Sequence, residues 1–274
     1  MKVAFQGEHG AYSEVAVFEH FGEGVEALPC ESFDDVFAAV SDEQCDCGLV
    51  PIENSLAGSI HRNYDLLLHN RLHVIGEHYL RVSHCLIGLP GVRLDEIRRV
   101  ISHPQALAQC EQYLRRLPGV RVDPVYDTAG SVKLVREAGD RTTAAIASQR
   151  AAQLYAMDVL DEKIEDSSSN FTRFLKIACQ PQQPQDEAKT SIVFALKNQP
   201  GALFRALSVF ALRDIDLTKM ESRPLTGRPW EYFFYIDLLG SSGDQNVHNA
   251  LDNLEEYATF LRVLGSYPRH RRDM

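Results

Sequence analysis

The segment SSSNFTRFLKIA, residues 167–178, places two anion-binding side chains between two aromatic rings. Arg173 offers a planar fork of five N–H donors, which matches the geometry of a carboxylate, and Thr172 offers one hydroxyl donor beside it. Phe171 and Phe174 can supply an apolar wall, which strengthens such contacts by lowering the local dielectric constant. Taken alone, the segment favours an edge strand with a surface arginine, on which Thr172 and Arg173 face opposite ways.

Other segments place small polar residues where a predicted strand gives way to a helix. FQGEHGAYSEVAV puts Ser13 in the first turn of a helix, and VPIENSLAGSI places Glu53, Asn54 and Ser55 after a strand. Capping explains one or two of these residues, and a ligand-facing loop explains the group. Glu53 in a salt bridge or cap, and His103 as a structural histidine before Pro104, are the favoured interpretations over catalysis.

Composition limits the class of partner. The chain has 274 residues, 45% of them hydrophobic and 24% charged, with a net charge of −10; this indicates a globular protein that binds no nucleic acid. Apolar runs stay below the ~20 residues that cross a bilayer, which predicts no membrane segment. An anion site must therefore be built locally. MKVAFQG leads directly into a strand-like stretch and shows no signal or transit pattern, which predicts a cytoplasmic location. The six cysteines follow no zinc or disulfide pattern, so we predict neither a metal nor a disulfide.

The chain divides at a linker rich in proline and glutamine, CQPQQPQDEAK, residues 179–189. Before it, in 1–178, short apolar runs alternate with helical patterns, which predicts an α/β fold of two lobes around a cleft. Pro104 is a predicted helix start, Asp127 a predicted N-cap and Gly139 a predicted helix end. After the linker, 190–274 reads β-α-β-β-α-β, the ferredoxin-like arrangement, with a turn at LTGRP.

In combination these segments resemble the prephenate dehydratase family over nearly the whole chain. The N-x-T-R-F element of that family stands at Asn170, Thr172, Arg173 and Phe174, P-I-E-N-S at 51–55, H-P-Q-A-L at 103–107, and the glycine turn with Y-S at 10–13. GAL at 201–203 and LTKMESRP at 217–224 resemble its regulatory ACT domain. Four motifs in order, with both regulatory ones, make this resemblance specific.

The resemblance implies a periplasmic-binding-protein-like catalytic domain that converts prephenate to phenylpyruvate, CO2 and water. Aromatisation drives that reaction, so no cofactor is expected. Thr172, carried over as the family's essential residue, would polarise the departing hydroxyl, and Arg173 would orient the substrate or hold a carboxylate. Phe174 would shape the apolar wall. By position near helix starts, the remaining predicted substrate contacts are Ser13, Asn54, Ser55 and Thr128.

For the C-terminal domain the resemblance implies that L-phenylalanine binds between two ACT domains and inhibits the enzyme. The predicted contacts are Asn198, Gly201, Ala202 and Leu203 on one side and Glu221, Ser222 and Arg223 on the facing strand. Pairing of ACT domains would make the protein a homodimer or a homotetramer. Two alternatives stay open: an arogenate dehydratase, which the segment GSIHRNYDLLLHNRLHVIGE also resembles, and a non-enzymatic amino-acid sensor.

Overall fold

The structure is a computed structural model that describes residues 1–184, 187–225 and 230–270. Three predicted features extend beyond these residues: the linker at 185–186, the LTGRP turn at 226–229 and the C-terminal domain at 271–274.

The chain forms two compact units. One contains Met1–Val36, Leu49–Ile60 and Tyr79–Phe174, and the other contains Phe37–Gly48, His61–His78 and Leu175–Met274. Every helix among the described residues is too short or too polar to cross a membrane.

The first sheet contains the residues of the N-x-T-R-F and P-I-E-N-S motifs. Its strands are β1 (Lys2–Gln6), β2 (Glu26–Cys30), β3 (Cys47–Asn54), β4 (Gly58–Ser59), β5 (His73–Arg81) and β11 (Phe171–Ala178). They follow the order β2-β1-β3-β11-β5, with β4 paired to β3. Strand β3 is buried at every position except Glu53, as is typical of a strand covered on both faces. Thr172 and Asn54 therefore lie on neighbouring strands. The helices in this part of the sequence are α1 (Tyr12–Phe21), α2 (Phe33–Ser41) and α3 (His61–His69).

The second sheet contains both parallel and antiparallel strand pairs. Its strands are β6 (Cys85–Gly88), β7 (Arg99–Ser102), β8 (Arg121–Pro124), β9 (Thr143–Ala147) and β10 (Asp158–Glu162), in the order β10-β6-β9-β7-β8. β7 runs parallel to β8 and β9, whereas β6 runs antiparallel to β9 and β10. The helices are α4 (Pro104–Gln109), α5 (Glu111–Leu114), α6 (Thr128–Ala138) and α7 (Gln149–Leu154).

The predicted boundaries of the helices beside this sheet are confirmed, but one predicted helix is interrupted. Pro104 starts α4; the Asp127 side chain accepts a hydrogen bond from Gly130 N at the start of α6, and Gly139 ends α6 with φ of 63°. The helix predicted from 104 onward divides at Cys110, which has φ of −120°.

Strand β2, helix α2 and strand β10 were not predicted from the sequence. A signal for α2 exists: Ser32 Oγ accepts the Asp35 N–H at 3.2 Å, while the Asp35 carboxylate accepts the Ser32 N–H at 3.0 Å. That reciprocal pair is a capping box with aspartate in place of glutamate.

The C-terminal part is the predicted β-α-β-β-α-β arrangement. It consists of β12 (Ala188–Leu196), α8 (Ala202–Ala211), β13 (Leu217–Pro224), β14 (Tyr232–Leu239), α9 (Gln245–Tyr257) and β15 (Ala258–Pro268). The sheet has the order β13-β14-β12-β15, and its neighbours pair antiparallel. Buried residues of α8, α9 and the sheet form one core, which includes Ile192, Phe194, Phe210 and Leu254. Residues 61–78 share a compact unit with this sheet, so the domain boundaries at 178 and 190 stay a prediction.

Candidate functional site

Asn54, the last residue of β3, is 6% exposed and uses both ends of its amide. Its Oδ1 accepts the backbone N–H of Leu56 at 3.0 Å and of Ala57 at 2.9 Å. Its Nδ2 donates to Thr172 Oγ1 at 3.0 Å and to Asn170 Oδ1 at 2.8 Å. Because backbone N–H groups only donate, Oδ1 is fixed toward the turn and Nδ2 toward Thr172.

Thr172 is half-buried on β11, and its hydroxyl oxygen is the acceptor of the Asn54 hydrogen bond. A threonine hydroxyl has one proton to donate. Among the described residues, no hydrogen-bond acceptor takes that proton. A donor to Oγ1 also withdraws electron density from the O–H bond, so the hydroxyl is prepared to donate to a ligand.

Ser55 closes the loop that precedes β11. Its hydroxyl donates to Ser169 O at 2.6 Å and accepts the Phe171 N–H at 2.9 Å. Ser169 N in turn donates to Ser167 Oγ at 3.3 Å. The serines of SSSN therefore form a turn that Ser55 holds against β3. A substrate contact of Ser55 stays a prediction, and it would have to share a hydroxyl that already has protein partners.

Arg173 points to the other side of β11 from Thr172 and is only 4% exposed. Its guanidinium carbon lies 5.9 Å from the centre of the Tyr79 ring, within range of a cation–π interaction. Phe174 is 1% exposed, whereas Phe171 is 38% exposed. Burial therefore does not alternate along β11, since Arg173 and Phe174 are both buried. The burial of Arg173 favours Thr172 as the side chain that reaches a ligand.

Ser13 and Thr128 lie in the first turns of α1 and α6, as predicted. Both are half-buried, and within the described part of the chain neither hydroxyl has a hydrogen-bond partner. Both can therefore contact a ligand, and that role stays a prediction.

The glycine turn before α1 is occupied by a protein carboxylate. Gly10 N donates to Glu14 Oε2 at 2.7 Å, and Glu14 also contacts His9 and Arg150. Burial tends to raise the pKa of Glu14, but hydrogen bonds from His9, Gly10 N and Arg150 outweigh it and hold that pKa below its ordinary value. Ser148 Oγ donates to Gly10 O at 2.6 Å. The Gly10 N–H therefore binds Glu14, which gives this strand-to-helix turn a structural role at Gly10.

Gln109 and His84 were missed from the sequence. Asn170, which is fully buried, donates from Nδ2 to Gln109 Oε1 at 2.8 Å across 61 residues of sequence. His84 Nε2 lies 2.8 Å from the same oxygen. No spacing rule reveals a contact of this kind, because the partners come from different elements. No group of three or more His, Cys, Asp or Glu side chains within the described ranges is placed to hold a metal.

The two segments predicted to bind phenylalanine reach the same end of the C-terminal sheet. Gly201 caps α8 in the left-handed region, with φ of 77°, and Ala202 begins the helix. Ala195 and Arg223 both pair with Phe233, from opposite sides of β14. One strand therefore separates the segments within a chain, a distance of about 10 Å between β12 and β13.

Glu221 and Arg223 face α3, not solvent. Arg223 Nη2 lies 3.0 Å from Asp65 Oδ2, and Glu221 Oε1 lies 3.3 Å from His61 Nε2. Ser222 is exposed on the opposite face of β13. The Tyr235 hydroxyl on β14 donates to the backbone oxygen of Tyr64 at 2.9 Å, so β13 contacts α3 through two side chains and β14 through a third. Binding of phenylalanine by these residues stays a prediction.

Comparison with known proteins supplies the family. The model for "Prephenate dehydratase" matches residues 3–182, and the model for "ACT domain" matches residues 190–256. Arogenate dehydratase/prephenate dehydratase 2 of Arabidopsis thaliana, named as chloroplastic, is 50% identical and is aligned over 98% of this chain and 73% of its own length. Arogenate dehydratase 2 of Petunia hybrida is 49% identical over 98% of this chain and 72% of its own length.

Two solved structures have the same fold over nearly the whole chain. Prephenate dehydratase from Arthrobacter aurescens, solved in complex with L-Phe, is 31% identical, with a TM-score of 0.91 and coverage of 98% of this chain and 90% of its own. GqqA, described as a novel type of quorum quenching acylase, is 36% identical with a TM-score of 0.91 over 98% of both chains.

These matches confirm the α/β fold with an ACT domain and the dehydratase class predicted from the motifs. The chain belongs to the prephenate dehydratase family.

Proposed function

We propose that this protein carries out the decarboxylative dehydration of prephenate to phenylpyruvate. The bond from the ring to its carboxylate breaks and releases CO2. Its electron pair moves through the ring and expels the C4 hydroxyl, which takes up one proton and leaves as water. The observation that carries the proposal is the Thr172 hydroxyl: its oxygen accepts from Asn54 and its proton has no acceptor among the described residues. That proton is available to the departing hydroxyl.

The roles follow from the chemistry of each group. Thr172 donates a hydrogen bond to the leaving oxygen and thereby stabilises the charge that develops on it. A threonine hydroxyl is a weak acid, so water completes the proton transfer. Arg173 is the proposed partner of a substrate carboxylate, and to fill that role its side chain would have to turn from its buried position on the other side of β11. Phe174 is the proposed apolar wall. Ser13 and Thr128 are proposed further contacts to the dianion. Asn54 and Ser55 are proposed as well, and they would share groups that already bind the protein.

The experiment is a product assay with purified protein, prephenate and arogenate. We expect phenylpyruvate from prephenate, and we expect Thr172→Ala to lower kcat by at least about 10²-fold with an unchanged unfolding transition. A loss of only a few-fold would remove Thr172 from its assigned role. The absence of product from both substrates with the parent protein would overturn the dehydratase proposal.

Arogenate, the transaminated analogue of prephenate, is the alternative substrate. Relatives that are 50% and 49% identical are named for arogenate, and the ring chemistry is the same for both substrates. The discriminating contacts are those near the side chain, where an amino group replaces a keto oxygen. A kcat/KM for arogenate at least tenfold above that for prephenate would assign the protein as an arogenate dehydratase.

We propose that L-phenylalanine is the effector and that the ACT domains pair. The complex of the Arthrobacter aurescens protein with L-Phe supports the ligand. The strand between the two predicted segments supports a site that draws on two chains. A homodimer, or a homotetramer built from it, is expected by light scattering, and phenylalanine should lower turnover. Turnover indifferent to millimolar phenylalanine would refute the regulatory role.

Two other classes are tested by the same protein sample. A non-enzymatic amino-acid sensor predicts phenylalanine binding without turnover of either substrate. The acylase described for GqqA predicts release of an acid from an N-acyl substrate. The side chain that hydrogen-bonds to Thr172 Oγ1 is the amide of Asn54. An amide is not a base and cannot activate the hydroxyl as a nucleophile, so we expect no such release. The proposed location in the cytoplasm is a separate point, because a relative is named as chloroplastic. Cell fractionation tests whether the protein is found in the cytoplasmic fraction.

A further inference from the structure

A hydrogen-bond chain extends from Thr172 away from the proposed substrate. It runs from Thr172 to Asn54 and on to Asn170 through the contacts given above. It then continues to Gln109 at 2.8 Å and to His84 at 2.8 Å. Asn170 and His84 are 0% and 1% exposed, so these links are protected from water.

The chain has one direction, which the turn after β3 sets. Two backbone N–H groups hold the oxygen of Asn54, so its nitrogen donates to the oxygen of Asn170. The nitrogen of Asn170 must then donate to the oxygen of Gln109. That oxygen also faces His84 Nε2, which must therefore carry a proton. Reversing any one amide would place two donors or two acceptors face to face in a buried region.

The far side of the imidazole is consistent with this direction. His84 Nδ1 lies 2.7 Å from the Tyr12 hydroxyl, which donates to Ser83 O at 2.8 Å. Burial lowers the pKa of His84 more than its bond with Gln109 and the nearby Glu165 raise it. The neutral imidazole therefore carries its single proton on Nε2, toward Gln109 Oε1, while His84 Nδ1 and Ser83 O share the one proton of the Tyr12 hydroxyl.

We propose that His84 is a positioning residue for the Thr172 hydroxyl, acting through Gln109, Asn170 and Asn54. By donating from Nε2 it keeps every amide of the chain in one orientation. The last donor, Asn54 Nδ2, then faces Thr172 Oγ1 at 3.0 Å, closer than its other neighbour on β11, Phe171 O at 3.2 Å, and the threonine proton is left for a ligand. The proposal rests on the proposed dehydration, because the directed proton matters only where a leaving group receives it. His84 itself touches no substrate.

The kinetic test compares His84→Leu with His84→Gln in the full-length protein. The leucine variant removes the donor to Gln109, and the glutamine variant restores an N–H at a similar reach. We expect His84→Leu to lower kcat about tenfold with KM within about twofold, which is the effect of one lost hydrogen bond on the reacting state. His84→Gln should stay within about threefold of the parent. A loss that appears only in KM, or that is equal in both variants, overturns the proposal.

A double-mutant cycle separates positioning from general stability. In a Thr172→Val background the hydroxyl is absent, so His84→Leu should change the residual kcat less than twofold. An additive tenfold loss there would show that His84 acts by holding the fold alone, and would refute the positioning role.

A third measurement uses the parent protein alone, so it depends neither on turnover nor on whether a variant folds. Nitrogen-15 NMR of the parent protein, with histidines labelled, reports which imidazole nitrogen carries the proton. We expect the Nε2–H form for His84, and the Nδ1–H form would overturn the direction of the chain. The parent assay with prephenate and arogenate separately decides the proposed function. If that assay fails while Nε2–H is found, the dehydration and the positioning role fall and the hydrogen-bond direction stands.

Discussion

Replacing Lys189 with methionine is expected to destabilise the fold by about 3–5 kcal/mol, because the change removes one partner of a buried ion pair. Lys189 Nζ lies 3.0 Å from each carboxylate oxygen of Glu77. The two side chains are 7% and 0% exposed, so water cannot replace the lost contact. Glu77 Oε1 also accepts the His270 N–H at 3.0 Å. The pair thus links β12, and through His270 the residues that follow β15, to β5.

The magnitude follows from burial, and a surface pair provides the matched control. Arg93 and Asp95 lie 3.1 Å apart, with side chains 77% and 68% exposed. Such pairs contribute about 0–1 kcal/mol, so Arg93→Met should change stability by less than about 1 kcal/mol. The geometry of the two pairs is similar, and the difference in exposure accounts for the difference in cost.

Urea unfolding followed by circular dichroism measures both variants. A loss of about 3–5 kcal/mol in Lys189→Met corresponds to a fall in Tm of roughly 6–20 °C for a chain of this size. The double variant Lys189→Met with Glu77→Gln removes both charges and should recover at least about half of the loss. Equal destabilisation by Lys189→Met and Arg93→Met would refute the argument from burial.

Three further changes test other parts of the structure. A Cβ on Gly265 would clash with the backbone oxygen of Val74. Gly265→Ala should therefore lower the free energy of unfolding by about 2 kcal/mol or more in the same urea assay. An unchanged unfolding midpoint would refute that close approach. Burial raises the pKa of Glu14, but its hydrogen-bond donors outweigh burial and lower it, so the ionised carboxylate stabilises the fold above pH 4.5, and this stabilisation is lost as pH falls through the lower folded-state pKa. Glu14→Gln should therefore lose less stability than the parent between about pH 5 and pH 3. Parallel curves of stability against pH for the two proteins would contradict the shift. Asn54→Asp keeps an oxygen toward the turn but replaces the donor to Thr172 by an acceptor, so kcat should fall about 10²-fold, and a kcat within threefold of the parent would contradict the role of that hydrogen bond.

Much of the fold is readable because it depends on local rules. Pro104 at a helix start and Asp127 as an N-cap follow from which backbone N–H groups a helix leaves open, and both stand as predicted. The opposite facing of Thr172 and Arg173 follows from the two-residue period of a strand. The break at Cys110 escaped prediction because its cause is distant in sequence: the Asp166 carboxylate accepts the Gln112 N–H at 3.1 Å and caps the second helix.

The sequence indicated several residues of the site but not the hydrogen bonds that join them. Asn54 was predicted as a substrate contact because it follows a strand, but its amide is occupied by the protein. Its partner Thr172 lies 118 residues away in sequence, and their bond requires two strands to become neighbours. His84 shows no spacing pattern with the other histidines. Its importance depends on a fully buried Asn170 that needs a partner for its nitrogen, and only tertiary structure supplies that partner.

The most direct measurement is the turnover of prephenate by Thr172→Ser and Thr172→Val. Serine keeps a hydroxyl that can accept from Asn54 and donate to the leaving oxygen, whereas valine keeps the shape of threonine and removes the hydroxyl. The proposed mechanism predicts a kcat within about tenfold of the parent for Thr172→Ser and a loss of at least about 10²-fold for Thr172→Val, with similar KM in both. Equal kcat in the two variants would show that the Thr172 hydroxyl does not assist the departure of the C4 hydroxyl, and would contradict the mechanism proposed for this protein.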